Sequence, residues 1–177
     1  MSYKNFVKEG QKLPLFGIGP YLITGMSVLT LNSIVFCGYV YRIGILNGIW
    51  VWVFRIAGII LSALGVLVWY SGALGSGMDK NISENRLKTD GIYAWVRNPM
   101  YSGIWLFITG ISFMWHNLYM IHVFFLNWGI MTFVLKNTEE KWLADLYGDE
   151  YEKYKCRVNR CIPGKKLCVV QWLEKTD

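Results

Sequence analysis

The residues best suited to chemistry fall in two short groups. The first is Arg97, Asn98 and Tyr101, inside the run Leu87 to Gly103, LKTDGIYAWVRNPMYSG. Tyr93 and Trp95 precede them, and Thr89-Asp90-Gly91 is a turn signal. Pro99 suits the first turn of a helix, where its missing N–H costs nothing. A cation, an amide and a phenol thus gather at one helix start. The second group is Lys136, Glu139 and Glu140. If the fold brings the two together, acid, base and amide meet where charges are partly desolvated and their interactions strengthen. Two readings stand side by side: a structural ion-pair cluster, or a ligand site. A third element, Gly75-Ser76-Gly77, reads equally as a helix C-cap and turn or as a cofactor cradle.

The elements that must position these groups are apolar. The chain has 177 residues, 54% hydrophobic and 17% charged, with mean hydropathy +0.30. The apolar residues come in runs, which points to one small polytopic membrane domain over 1–177. The start, MSYKNFVKEGQKLP, is polar and basic and lacks the features of a cleavable signal peptide. Four spans are expected, at about 15–41, 49–74, 99–114 and 118–135. The third has 16 residues, so at ~1.5 Å rise it covers about 24 Å, short of the ~30 Å hydrocarbon core. Spans three and four then form a tight hairpin around Trp115-His116-Asn117, and the residues flanking it, Arg97-Asn98-Pro99 and Lys136 to Glu140, must emerge close together. Gly58, Gly65 and Gly72 make a small-residue stripe that fits close helix packing or a dimer. Arg55 can snorkel to the interface.

After Lys136 the sequence turns polar. Thr138 is expected to cap a helix, with Glu139 and Glu140 at its positive N-terminus. Trp142, Leu143, Leu146 and Tyr147 recur at helical spacing. Gly148 breaks that helix, a second carries Tyr151 and Tyr154, and the cytosolic helices together cover 137–160. Leu167 to Leu173 is weakly amphipathic. The short loops set the orientation. Lys4, Lys8 and Lys12 lead, Lys80, Arg86, Lys88 and Arg97 fill the middle loop, and the tail from Lys136 has nine basic residues. Both termini and the middle loop are therefore expected on the cytosolic side.

The net charge of +6 fits anionic lipid headgroups. Without a soluble basic face, nucleic acid is not expected as a partner. Cys37 reads as a small core residue, and Cys156, Cys161 and Cys168 as reduced thiols. His116 reads as a solvated loop residue and His122 as a local packing residue. Neither belongs with the cysteines, and no metal site is expected.

The run GIYAWVRNPMYSG, followed by EEKWLADLYGDEYEKYKCRV and Ile162-Pro163, resembles the isoprenylcysteine carboxyl methyltransferases and their phospholipid N-methyltransferase relatives. The matching positions are Gly91, Tyr93, Arg97, Asn98, Pro99, Tyr101 and Gly103, then Glu139, Glu140, Leu143, Gly148, Tyr151, Tyr154 and Pro163. The resemblance implies an all-α membrane methyltransferase that uses S-adenosyl-L-methionine. Its acceptor would be a lipophilic small molecule, a lipid or a lipidated substrate arriving from the cytosolic leaflet. The donor would be held by Tyr93, Arg97, Asn98, Tyr101, Glu139 and Glu140, with Gly75 and Gly77 resembling a GxG element of the phospholipid enzymes. Arg97, Lys136 and Glu140 would carry the reaction. Asn98 replaces the histidine usual in carboxyl-methylating members, a spelling closer to phosphatidylethanolamine N-methyltransferase. Lys136 replaces an arginine and cannot make a bidentate carboxylate clamp. A carboxylate acceptor is already ionised, whereas an amine must first lose a proton, with Glu140 as the candidate base. Three function classes follow: carboxyl methylation, phospholipid amine methylation, and a non-catalytic lipid-binding membrane scaffold. An NADPH-using membrane reductase is a weaker fourth, since the acidic pair opposes a phosphate.

Overall fold

A computed structural model describes residues 17–75 and 86–164. Its elements are helical. Helix α1 spans Gly19–Ile34 and continues as a wider π turn over Val35–Val40. Helix α2 spans Ile49–Ala73, α3 Pro99–Phe113, α4 Met120–Asn137, α5 Glu139–Tyr147 and α6 Asp149–Arg157. Two helical stretches, Gly19–Val40 and Ile49–Ala73, are long and apolar enough to cross a membrane by length and composition.

The glycine stripe explains how α2 and α3 meet. A Cβ added at Gly65 would lie 2.6 Å from the Gly103 carbonyl oxygen and 2.6 Å from the Phe107 nitrogen. One added at Gly58 would lie 2.6 Å from the Gly110 carbonyl oxygen. At the end of the row, Gly72 packs on the Pro99 ring. Small residues on both helices let the backbones touch. Of the two uses open to the stripe, it serves packing within the chain.

The two ends of the bundle are tied differently. At one end Asn117 Nδ2 donates to the Ile43 carbonyl (2.8 Å), and its Oδ1 accepts the Tyr119 N–H (2.9 Å). Leu46 N–H donates to the His116 carbonyl at 2.9 Å. His116, expected to be solvated, is instead half-buried at this tie, with φ +39°. His122 is exposed beside the Tyr119 ring. Arg55 is also exposed and lies 5.9 Å from the centre of the Trp52 ring. The opposite end gathers the start of α1, the end of α2, the start of α3 and the α4–α5 junction. Between these ends, Leu22, Met26, Trp105, Met131 and Leu135 form the larger apolar core. Asn127 Nδ2 donates to Thr30 Oγ1 within the bundle (2.8 Å), satisfying polar groups that apolar surroundings would penalise.

Three further local expectations change. Thr138 does not cap α5: its hydroxyl donates back to the Val134 carbonyl at 2.6 Å, closing the last turn of α4 instead. The last helix stops at Arg157 rather than 160, where β-branched Val158 turns extended (φ −119°, ψ 135°). Cys156, expected as a free thiol, is disulfide-bonded, whereas Cys37 and Cys161 are free. The N-terminal lead and the 167–173 stretch lie outside the described residues.

Candidate functional site at the end of the bundle

The site is built where the chain after α6 returns to the segment before α3. Residues 158–164 run beside 95–98 as a strap, with a parallel bridge between Val96 and Asn159. Arg97 N–H donates to the Asn159 carbonyl (2.9 Å), and Asn98 N–H to the Arg160 carbonyl (3.0 Å). Asn98 Nδ2 donates to that same carbonyl at 3.4 Å. The strap thereby fixes the backbone on which Arg97 sits, and its Cys161 is buried in the apolar core. Burial pushes the Cys161 thiol up to about 12, against the pull of a Ser102 hydrogen bond and Arg160.

Arg97 faces α5 and α6. Its Nη2 lies 3.2 Å from Glu140 Oε1, and its Nη1 donates to the Tyr151 hydroxyl at 3.3 Å. Arg160 closes on the same carboxylate in bidentate fashion, Nε to Oε1 at 2.6 Å and Nη2 to Oε2 at 2.8 Å. The side chains of Arg97 and Glu140 are 4% and 5% exposed, and that of Arg160 is 21%. Hydrogen bonding to Glu140 holds the Arg160 guanidinium above its ordinary range. Arg97 Nε is buried with no hydrogen-bond acceptor among the described residues. Behind this cluster Tyr154 donates its hydroxyl to the Tyr93 carbonyl (2.7 Å) and Tyr93 donates to the Gly72 carbonyl (3.3 Å). Burial raises the Tyr151 and Tyr154 phenols well above their usual range, so both stay protonated.

Glu139 goes elsewhere. On a helix adjacent residues point about 100° apart, and Glu139 accepts the Tyr101 hydroxyl and the Ile18 N–H, the latter at 3.1 Å. It therefore supplies an anion at the N-terminus of α1, where the helix dipole favours one. Burial holds its carboxyl above the usual carboxylate range, while the Tyr101 and Ile18 hydrogen bonds pull it down.

Residues 43–150 match the model of the phospholipid methyltransferase family. The chain belongs to that family. Over 85 residues, 48% of the chain and 36% of the relative, it is 35% identical to a protein named protein-S-isoprenylcysteine O-methyltransferase from Schizosaccharomyces pombe. Over 88 residues, 49% of the chain and 30% of the relative, it is 36% identical to methanethiol S-methyltransferase 1 from Bradyrhizobium diazoefficiens. The match thus spans about a third of the length of each of these curated relatives. No solved structure matches the chain. The kinship with isoprenylcysteine and phospholipid methyltransferases expected from the motifs is borne out.

Within this phospholipid methyltransferase family chain, the fold unites Arg97, Asn98 and Glu140 in one cluster, with Tyr93 joined through Tyr154. Tyr101 and Glu139 form a second contact. Lys136 is exposed in the last turn of α4, and the cations paired with Glu140 are Arg97 and Arg160. Gly75 N–H donates to the Tyr70 carbonyl (2.9 Å) as α2 ends. Gly75 also lines an open pocket of about 270 Å³ with Tyr70, Ser71, Lys88 and Asp90. Gly77 lies outside the described residues. Arg160 was not anticipated from sequence. Its one signal was a cation just before Ile162-Pro163, in a motif read for its proline.

Proposed function

We propose that the protein is an S-adenosyl-L-methionine-dependent methyltransferase with a lipophilic acceptor at the cytosolic leaflet. Family membership and the activities named for both relatives, methyl transfer to oxygen and to sulfur, support the reading. The observation that carries it is the Arg97–Glu140–Arg160 cluster, with an Arg97 Nε–H that has no acceptor among the described residues. That donor set fits an amino-acid carboxylate. In this reading Arg97, Asn98, Tyr101, Glu139 and Glu140 hold the donor, with Tyr93 and the Gly75–Gly77 turn bordering it. The chain is one membrane domain of four spans, α1 to α4, with both termini cytosolic. The gathering of alternate helix ends beside the site supports this.

When bound, S-adenosyl-L-methionine supplies a methyl group on a positively charged sulfur. The protein's part is to align the partners and exclude water. The strap and the Tyr151–Tyr154 pair cover the cluster, and the buried core of Leu22, Met26, Trp105, Met131 and Leu135 lies beneath it. Glu140 has both oxygens engaged by guanidinium donors, so it is not free to take a proton from an amine. That favours an acceptor that ionises on its own, a carboxylate or thiol, which the exposed Lys136 in the last turn of α4 would attract. Phospholipid amine methylation is the second reading, supported by the family match and by Asn98. Purified protein given methyl-labelled donor separates them. Label is expected in a prenylcysteine analogue and not in phosphatidylethanolamine. Calorimetry showing no donor binding would remove both in favour of a non-catalytic lipid-binding scaffold.

A further inference from the structure

Arg160 lies beyond residues 43–150, the part matched by the family model, yet it makes the tightest contact in the cluster. One carboxylate there faces two guanidiniums, at 2.6 and 2.8 Å from Arg160 and 3.2 Å from Arg97. The cluster therefore carries one positive charge in excess. An unbalanced buried charge is costly, and the excess sits beside an Arg97 Nε–H with no acceptor among the described residues. Both facts call for an anion. If Arg160 were absent, Glu140 could turn its second oxygen to Arg97 and form a one-to-one fork. That would cancel the charge and consume the free donor edge.

We propose that Arg160 is a positioning residue that occupies both oxygens of Glu140 and so keeps Arg97 available to a ligand carboxylate. The proposal rests on the methyltransferase reading above. Two carboxylates have the right chemistry: the amino-acid end of the methyl donor, and an acceptor that is itself a carboxylate. The strap does not depend on the guanidinium for its place. The Arg160 carbonyl is held by two donors of Asn98, so its side chain can be changed with the backbone anchored.

The test uses the full chain in nanodiscs, as wild type, Arg160→Ala and Arg160→Lys. The probes are S-adenosylhomocysteine and 5′-methylthioadenosine, which lacks the amino-acid end. Arg160→Ala is expected to weaken S-adenosylhomocysteine about 10- to 100-fold and methylthioadenosine less than about twofold, the size of one charged hydrogen-bonded contact. Arg160→Lys keeps the charge without the fork and should fall between. If S-adenosylhomocysteine binding holds but KM for a prenylcysteine carboxylate rises with kcat unchanged, the carboxylate is the acceptor's and the positioning role stands. Parallel loss of both nucleosides marks a merely structural residue and overturns the proposal, as does no change in either nucleoside or in KM. Should Arg160→Ala not fold, the same comparison is read on Arg160→Lys. A wild type that binds neither nucleoside overturns the methyltransferase reading itself, and this role with it.

Discussion

Replacing Gly65 by alanine tests the contact that holds α2 on α3. In a helix interior the change from glycine should gain about 1 kcal/mol of propensity. Against it stands a Cβ placed 2.6 Å from both the Gly103 oxygen and the Phe107 nitrogen, where ordinary contact begins at 3.4 Å. Those atoms are backbone and cannot rotate aside, so the helices must part. Overpacking of this kind costs about 1–3 kcal/mol. The steric term wins, and we expect a net loss of about 1–2 kcal/mol, the upper part of that range less the propensity gain. For a chain of this size that lowers the melting temperature by roughly 2–8 °C. Gly129 is the control. It lies in α4, exposed, with nothing within 4 Å of an added Cβ, so Gly129→Ala should melt at or slightly above the wild type. Both variants are read by thermal unfolding in one detergent. A Gly65→Ala protein as stable as wild type, or an equal loss in both variants, would refute the idea that backbone contact sets the α2–α3 distance.

Glu140→Ala should destabilise by about 3–5 kcal/mol, because two guanidiniums then share a buried site with no counter-ion; a melting curve within a degree of wild type argues against that cluster. Glu139 gives a pH signature. Its folded carboxyl titrates above the usual range, so the folded state holds the proton more tightly than the unfolded chain. Its contribution is complete below the unfolded carboxylate value and fades as pH rises through the folded one. Melting temperature measured against pH should decline less steeply in Glu139→Gln than in wild type, and identical slopes count against the assignment. Cys161, buried with its thiol pushed up to about 12, should resist iodoacetamide at pH 8 in the folded protein and react once unfolded. Peptide mass spectrometry reads this directly, and rapid native labelling contradicts the burial.

Much of the scaffold was legible because it follows from local rules. Pro99 opens α3, and Gly148, with φ +51°, separates α5 from α6, a conformation glycine tolerates best. The hairpin arithmetic also located Arg97 and Glu140 at one end of the bundle, and they do pair. The strap was not legible. It is a bend-rich loop without periodicity, closed by Asn159 N–H on the Gly164 carbonyl, its bridge is a single pair between Val96 and Asn159, and neither composition nor spacing marks such a contact. Arg160 was hidden for that reason. The divergence of Glu139 and Glu140 escaped too, because adjacency in sequence makes them look like one acidic pair, while helix geometry sends them to different partners. Thr138 is ambiguous in sequence because the same hydroxyl that can cap the next helix can also bond back to the previous one, as it does here.

The junction between α4 and α5 has a consequence for how such chains can vary. Glu139 addresses the first helix and Glu140 the two guanidiniums of Arg97 and Arg160, from consecutive positions of one short helix. An insertion or deletion of a single residue between Leu135 and Glu139 would swing α5 through about 100° and deliver each carboxylate to the wrong destination. Length changes should therefore be purged from those few positions.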